Sequence, residues 1–331
     1  MQAVFIERTG GTDVLTLSDV PQPEPGAGEV VIRGAAAAVN FIDSLVRAGA
    51  LPPQVMPALP AAPGVECAGT VAAVGADVPG VKVGDQVVYF GGAAAGCYAE
   101  FVKAPVDRVW ALPANADLQT AAVLPVNYAT AYHMLHGVAA VRPGQTVLIH
   151  AAAGGVGTAL VQLAKRAGVT VIGLAGSPEK VQYALAQGAD HAIDYRRENV
   201  AARVKETTGG KGVDVSFNPI AARTLADDAA LLAPFGQIVV FGFLGGMPDV
   251  TVTEVLAAHF GKSIGVRVSD IYTLYTERPQ QFSELMHKVI AEFAEGRITP
   301  RVFDALPLAQ AARAHALLES GAVAGKLLLT A

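Results

Sequence analysis

Residues 145–157 read Gln-Thr-Val-Leu-Ile-His-Ala-Ala-Ala-Gly-Gly-Val-Gly: a short apolar run, a glycine-dense turn, and then a helix-like stretch. That order suits the pyrophosphate of a dinucleotide. A strand carries the chain to a sheet edge, and glycines let the backbone approach the anion. The helix N-terminus then offers unpaired N–H groups and the positive end of its dipole. The motif is Ala152-x-Gly154-x-x-Gly157, with alanine where the dinucleotide fingerprint has its first glycine. Gly154 is expected to admit the pyrophosphate, and Gly157 to let helix and strand pack closely.

The end of the next strand separates NAD from NADP. An acidic residue there would hold the ribose 2′-hydroxyl and repel a 2′-phosphate. Here the chain reads Val171-Ile172-Gly173-Leu174-Ala175-Gly176-Ser177-Pro178-Glu179-Lys180, and Ala175 stands uncharged at the deciding position. Ser177 and Lys180 are a hydroxyl and a cation suited to phosphate, so NADPH is the expected cofactor. Glu179, in the first turn of the next helix, can face solvent. Lys180 taken alone would also serve as a solvated helix lysine.

Zinc chemistry finds little support. A catalytic site needs about three Cys, His or carboxylate ligands, and a structural site usually four, mostly thiolates. The chain has two cysteines, Cys67 and Cys97, and no histidine near Cys67 in Pro63-Gly64-Val65-Glu66-Cys67. His133 and His136 lie three apart on a helix-like segment without a carboxylate, and are expected to pack or face solvent. With no metal to stabilise an alkoxide, hydride is expected to go to an acceptor that already delocalises charge, such as a quinone or a conjugated enone.

The elements that must position these residues change character along the chain. The first ~120 residues carry short strand-like runs, Val30–Arg33, Gly69–Val74, Gln86–Tyr89 and Tyr98–Lys103, with turns such as Val83-Gly84-Asp85. They read as a small barrel-like β unit. Leu51–Pro63 holds five prolines and is expected to be an extended loop. Leu118–Leu124 and Tyr128–Gly137 look helical. From Thr146 to Phe241 apolar strand runs alternate with helical stretches, the pattern of a parallel sheet with crossover helices. A further strand is expected near Gly261–Val268, a long amphipathic helix over Pro279–Glu295 and a last strand at Gly325–Leu329. The fold class is α/β, with a β-rich domain joined to a doubly wound parallel sheet.

Composition agrees. The 331 residues are 52% hydrophobic and 16% charged, with net charge −5 and no lysine or arginine stripe. Nucleic-acid binding is not expected. No uncharged apolar run reaches the ~18 residues of a membrane span. The start, Met-Gln-Ala-Val-Phe-Ile-Glu-Arg, lacks the pattern of a signal peptide, so a cytoplasmic protein is expected. A Cys67–Cys97 disulfide stays open, although two reduced buried thiols suit that compartment better.

Taken together, the chain resembles the zinc-independent quinone oxidoreductases, the zeta-crystallin-like branch of the medium-chain dehydrogenase/reductase superfamily. The resemblance rests on Val39-Asn40-Phe41-Ile42-Asp43 with Arg47, Gly64–Gly75, Val83-Gly84-Asp85-Gln86-Val87, Ala151–Gly157, Gly176–Lys180, Asp194-Tyr195-Arg196, Phe241-Gly242 and Gly325-Lys326. It implies a GroES-like catalytic domain from residues 1–123 and 266–331, and a Rossmann NADPH-binding domain over 124–265. It also implies a homodimer joined through the Rossmann sheets. Ala152, Gly154, Gly155 and Val156 would meet the cofactor at the turn. Lys180 and Tyr195, helped by Gly176 and Ser177, would hold the 2′-phosphate. Asn40 and Thr130 would sit near the nicotinamide, and Phe241, Gly242, Phe243, Arg267 and Lys326 would line the rest of the cofactor cleft.

Two departures bear on substrate. The family commonly has a tyrosine two residues after the aspartate of Asn-Phe-Ile-Asp, where this chain has Leu45. A second tyrosine is missing from Gly49-Ala50-Leu51-Pro52. The pocket is therefore expected to be more apolar and to lack a phenolic proton donor. Tyr128 could compensate as a catalytic group or simply pack. Asp43 is expected to pair with Arg47 four residues on. The Asn40 amide could orient either the nicotinamide or an acceptor oxygen. The expected activity is NADPH-dependent hydride transfer to a quinone. An enoyl-thioester or 2-alkenal reductase is the alternative, and an NADPH-binding protein with little turnover a distant third.

Overall fold

The computed structural model describes residues 1–93, 95–247 and 251–331, which divide into two units: Met1–Val126 with Pro279–Ala331, and Asn127–Arg278. The first unit opens with strands β1 (Gln2–Ile6), β2 (Leu15–Asp19) and β3 (Glu29–Ala38), then helix α1 (Phe41–Ala48). Strands β4 (Glu66–Val74), β5 (Gln86–Phe90), β6 (Phe101–Pro105) and β7 (Val109–Ala111) and the short helix α2 (Leu118–Ala121) follow. Every strand run read from the sequence lies in or overlaps one of these. The proline-rich segment 51–63 forms neither helix nor strand, because proline fixes φ and removes a backbone donor. β1 and β2 have weaker signals and come together only by pairing across a turn, Gln2 opposite Asp19.

The second unit begins with α3 (Ala129–Tyr132) and then alternates: β8 (Thr146–Ile149), α4 (Gly155–Arg166), β9 (Thr170–Ala175), α5 (Pro178–Ala186), β10 (His191–Asp194), α6 (Val200–Thr207), β11 (Val213–Asn218), α7 (Thr224–Leu231) and β12 (Leu232–Val240). It continues through α8 (Val252–Ala258), β13 (Gly265–Val268) and α9 (Ile271–Glu277) to Arg278. The six strands pair in the order β10-β9-β8-β11-β12-β13, all parallel. This is the doubly wound arrangement, whose strand order reverses between β8 and β11. Leu148, Ile172, Ile193, Val213 and Ile238 are buried, as strands covered on both faces require.

The chain then returns to the first unit with α10 (Pro279–Ala294), β14 (Val302–Pro307), α11 (Ala311–Glu319) and β15 (Lys326–Thr330). β14-β15-β3-β4-β5-β7 forms one sheet, and β6 pairs with Glu29–Arg33 of β3, while β15 meets only the last residues of that strand. β15 joins β3 antiparallel, Leu328 opposite Ala38, which sets Lys326 close to Asn40 just beyond that strand's end. One glycine of this sheet is obligatory by contact. A Cβ on Gly69 would lie 2.2 Å from the Arg33 carbonyl oxygen.

Candidate functional site

In the middle unit the sequence-predicted turn joins β8 to α4. Ala151 takes a left-handed φ of 49°, Ala152 donates its N–H to Leu174 O at 3.0 Å, and Gly154 caps α4. A Cβ on Gly157 would lie 2.1 Å from Ala151 O, and one on Gly155 2.3 Å from Asn127 Nδ2. Glycine is thus required for α4 to start this close to the turn. Gly154 is less constrained, with only Ala151 O at 3.2 Å from such a carbon. The first-turn N–H groups, Gly155 and Val156 among them, lie at the strand-order reversal, where doubly wound sheets bind ligands.

The end of β9 carries a second anion-ready corner. Tyr195 is 50% exposed, and its hydroxyl would lie 2.7 Å from a Cβ on Gly176. Arg196 Nε would be 3.4 Å from the same carbon. Ser177 caps α5, accepting the Lys180 N–H at 3.3 Å. Glu179 is exposed as expected, and its own backbone N–H, then a hydrogen bond with Ser177, hold its carboxylate below the usual range. Lys180 is half-buried. Burial, and next the Arg196 guanidinium, lower its affinity for a proton. Arg196 stands over Gly176, Lys180 is near enough to feel its charge, and the uncharged Ala175 ends the strand. The residues fit a 2′-phosphorylated dinucleotide.

Other predicted residues divide clearly. Phe241 donates its N–H to Asn218 O at 3.1 Å, and a Cβ on Gly242 would meet Pro219 O at 3.0 Å. The loop after β12, with Phe243 half-exposed, therefore lies against the loop after β11. Thr130 on α3 is buried, and its Oγ1 has no hydrogen-bond partner among the described residues. Arg267 instead donates to Val138 O at 3.2 Å, which ties β13 to the segment after α3. Tyr128 is 1% exposed and its hydroxyl donates to Gln162 Oε1 at 2.9 Å. A cavity of about 870 Å³ in this unit is lined by His150, Ala151, Leu174, Tyr195, Ile220 and Arg223 among others.

The first unit holds the second group, a buried polar chain built around α1. Asn40 caps the helix, and Asp43 at its third position turns back to accept the Asn40 N–H at 2.7 Å. Asp43 also accepts the Tyr98 hydroxyl at 2.9 Å, and that hydroxyl lies 3.2 Å from His315 Nε2. The expected Asp43–Arg47 pair therefore does not form. The capping box draws the carboxylate toward the helix start, and Arg47 reaches Gly10 O and Glu319 instead. Glu66, at the head of β4, was not foreseen as a site residue, although a carboxylate opening an apolar strand was a readable signal. Its Oε2 accepts the Val126 N–H at 2.7 Å and its Oε1 accepts Asn40 Nδ2 at 2.9 Å. Lys326 Nζ donates to Asn40 Oδ1 at 2.5 Å and lies 3.6 Å from Glu66.

Burial pushes Glu66 up to about 7, against the pull of Lys326, and Asp43 up to about 6, against its bonds to Asn40 and Tyr98. Burial also lowers His315 to about 4. The consequences for stability have opposite signs. Between about pH 6.5 and 4 the unfolded chain binds a proton at this histidine that the folded chain refuses, so stability falls with pH there. The two raised carboxylates hold protons more readily when folded, so they add stability as pH falls through 7 and 6. Replacing His315 by glutamine should therefore leave only the gain. Relative to wild type, the variant's unfolding free energy is expected to improve by up to about 3 kcal/mol from pH 7 to pH 4. Denaturant titrations at both pH values check this, and parallel wild-type and variant curves would refute it.

Cys67 and Cys97 are both free and buried. Among the described residues no group of three or more His, Cys, Asp or Glu side chains converges to hold a metal ion. His136 packs its ring against Tyr132 at a centroid distance of 4.4 Å.

Comparison with known proteins agrees with this architecture. Residues 26–114 match the alcohol dehydrogenase GroES-like domain, and residues 155–291 match the family described as zinc-binding dehydrogenase. A quinone oxidoreductase of Pseudomonas aeruginosa is 36% identical over 97% of this chain and 96% of its own. A mycobacterial protein solved with NADPH is 36% identical with a TM-score of 0.89, each chain covered in full. The Escherichia coli quinone oxidoreductase solved with NADPH is 32% identical with a TM-score of 0.90, again over the whole of both chains. With a GroES-like unit, a doubly wound unit and relatives matched end to end, the chain belongs to the quinone oxidoreductase family of the medium-chain dehydrogenase/reductase superfamily.

Proposed function

We propose that the chain is an NADPH-dependent oxidoreductase that passes hydride to a quinone without zinc. The observation that carries the reading is the end of β9: an uncharged strand terminus, a glycine floor under Tyr195, and two cations, Lys180 and Arg196, beside it. That corner suits a phosphate dianion and offers nothing to select a bare ribose hydroxyl. Relatives that act on quinones or were solved with NADPH support it.

NADPH, when bound, supplies the hydride. The middle unit's task is to hold it. Ala152, Gly154, Gly155 and Val156 present backbone to the pyrophosphate, and Gly176, Ser177, Lys180 and Tyr195 take the 2′-phosphate. Phe241, Gly242 and Phe243 border the cofactor. Thr130, with its unused buried hydroxyl, serves beside the reacting ring. Arg267, held by one of its donors at Val138 O, lines the remainder of the cofactor cleft. The unit built from both chain ends serves the acceptor. Much of the rate advantage comes from holding donor and acceptor in register in a dry site.

The decisive experiment follows NADPH oxidation by the purified chain with ortho- and para-quinones, 2-alkenals and crotonyl-CoA. Quinone turnover that NADH supports poorly is expected. Turnover confined to crotonyl-CoA or 2-alkenals would replace the reading with a conjugated-alkene reductase. Tight NADPH binding with no turnover on any acceptor would replace it with a binding protein. Stoichiometric zinc in the active protein would overturn the metal-free chemistry.

We also propose a cytoplasmic homodimer. NADPH chemistry and two free buried thiols suit a reducing compartment. Among the described residues no helix is long and apolar enough to cross a membrane. β13 ends its sheet, with Val268 64% exposed at the open edge, an arrangement that invites strand pairing with a second copy. A Val268→Lys variant is expected to shift the protein from dimer to monomer in light scattering. An unchanged mass would place the interface elsewhere.

A further inference from the structure

Ser269 follows the last residue of β13 and is 7% exposed. Its N–H is used, donating to Val240 O at 2.8 Å as the ladder with β12 runs out. Its side chain is not used: the hydroxyl has no hydrogen-bond partner among the described residues. A buried donor without an acceptor costs free energy, more than an unused lone pair does, and in a native fold it calls for a physical reason. Thr130, already placed beside the cofactor, carries a buried hydroxyl in the same state.

The place of Ser269 in the sheet narrows what its proton could meet. Side chains alternate along a strand, so Ser269 shares a face with Arg267. Arg267 reaches Val138 O, so that face looks toward the segment after α3, the helix that carries Thr130. In the sheet order β13 lies four strands from β9, roughly 19 Å away at about 4.8 Å per strand, with β8 in between. The 2′-phosphate corner is at the end of β9 and the pyrophosphate turn at the end of β8. A dinucleotide laid in that direction across the carboxyl ends of the strands brings its nicotinamide toward β12 and β13. The polar group on that ring is a carboxamide, and its oxygen is the acceptor that an unused hydroxyl proton lacks.

We infer that Ser269 is a cofactor-binding residue whose hydroxyl donates to the carboxamide oxygen of the nicotinamide, an assignment that rests on the functional reading above. One hydrogen bond there fixes the rotation of the ring about its glycosidic bond, and with it the face that carbon C4 presents. It anchors the end of the cofactor remote from Lys180 and Tyr195. The hydroxyl is unsatisfied in the free protein and satisfied in the complex. Alanine at this position should therefore stabilise the free chain while weakening its hold on NADPH, opposite signs that a merely structural serine would not give.

The test compares Ser269→Ala with wild type by calorimetry, using NADPH, its thionicotinamide analogue, and 2′-phospho-ADP-ribose, which lacks the ring. NADPH binding is expected to weaken about 10-fold, the equivalent of about 1.4 kcal/mol for one lost hydrogen bond. The thionicotinamide analogue, whose sulfur is a weak acceptor, should lose at most about threefold. Binding of 2′-phospho-ADP-ribose should stay within about twofold of wild type. The free variant should melt at or above the wild-type temperature. A destabilised free variant, or equal losses for all three ligands, would show that Ser269 serves the fold. Equal losses for NADPH and the thionicotinamide analogue alone would put the hydroxyl on another atom, and undiminished NADPH binding would leave it unused. Each of these overturns the inference, while quinone turnover by the wild type keeps the functional reading standing. A wild-type chain that does not bind NADPH overturns both.

Discussion

Replacing Asp228 by alanine is expected to cost the middle unit about 3–5 kcal/mol, the range for stripping one partner from a buried charged network. Asp228 is buried on α7. Its Oδ1 accepts from His150 Nε2 at 2.8 Å, and its Oδ2 accepts from Ser216 Oγ and Asn218 Nδ2, each at 2.7 Å. Truncation would leave His150 Nε2 and Ser216 Oγ without their acceptor and Asn218 Nδ2 with Thr224 Oγ1 alone. The damage should also reach the cofactor turn. His150 precedes Ala151, and Asn218 Oδ1 accepts the N–H groups of Ile220 and Ala221 at 2.8 and 2.9 Å. Hydrogen exchange should show lost protection across β8 and β11, and NADPH affinity should fall with it. A variant within about 1 kcal/mol of wild type would show that solvent or repacking satisfies those donors.

The second large effect concerns cofactor choice. Lys180→Ala is expected to weaken NADPH binding by about 10- to 150-fold, the equivalent of losing one charge-assisted hydrogen bond worth roughly 1.5–3 kcal/mol. NADH, which lacks the 2′-phosphate, should bind the variant within about twofold of wild type, since nothing it uses has been removed. The remaining Arg196 should keep a residual preference for NADPH. Titration by cofactor fluorescence separates the two ligands directly. Equal losses for NADH and NADPH would mean that Lys180 acts on the fold of α5, and no loss for either would move the phosphate elsewhere.

Much of the fold was legible because its cause is local. Runs such as Thr146–Ile149 and Thr170–Ala175 are apolar along their whole length, and helix-length stretches separate them, which only a sheet covered on both faces accommodates. The turn at Ala151–Gly157 and the uncharged Ala175 were legible for the same reason: backbone reach and charge at fixed spacing are properties of a few adjacent residues. The N-terminal β1–β2 pair was not, because its strands gain their meaning from pairing with each other.

Side-chain partnerships behaved differently. Helical spacing suggested Asp43 with Arg47, yet the capping box at Asn40 won, since a helix start leaves N–H groups that a nearby carboxylate satisfies at short range. Gln162 as the partner of the Tyr128 hydroxyl, and Val138 O as one partner of Arg267, were likewise not readable from spacing.

The sequence by itself therefore determined the family, the doubly wound unit, the dinucleotide turn and the case for NADPH, all of which rest on contiguous residues. Only the tertiary structure decided that Asn40 is bound to Glu66 and Lys326, and that His150 and Asp228 brace the turn. Those pairs lie 26 to 286 positions apart, and their hydrogen bonds depend on register between strands and helices that no local pattern encodes.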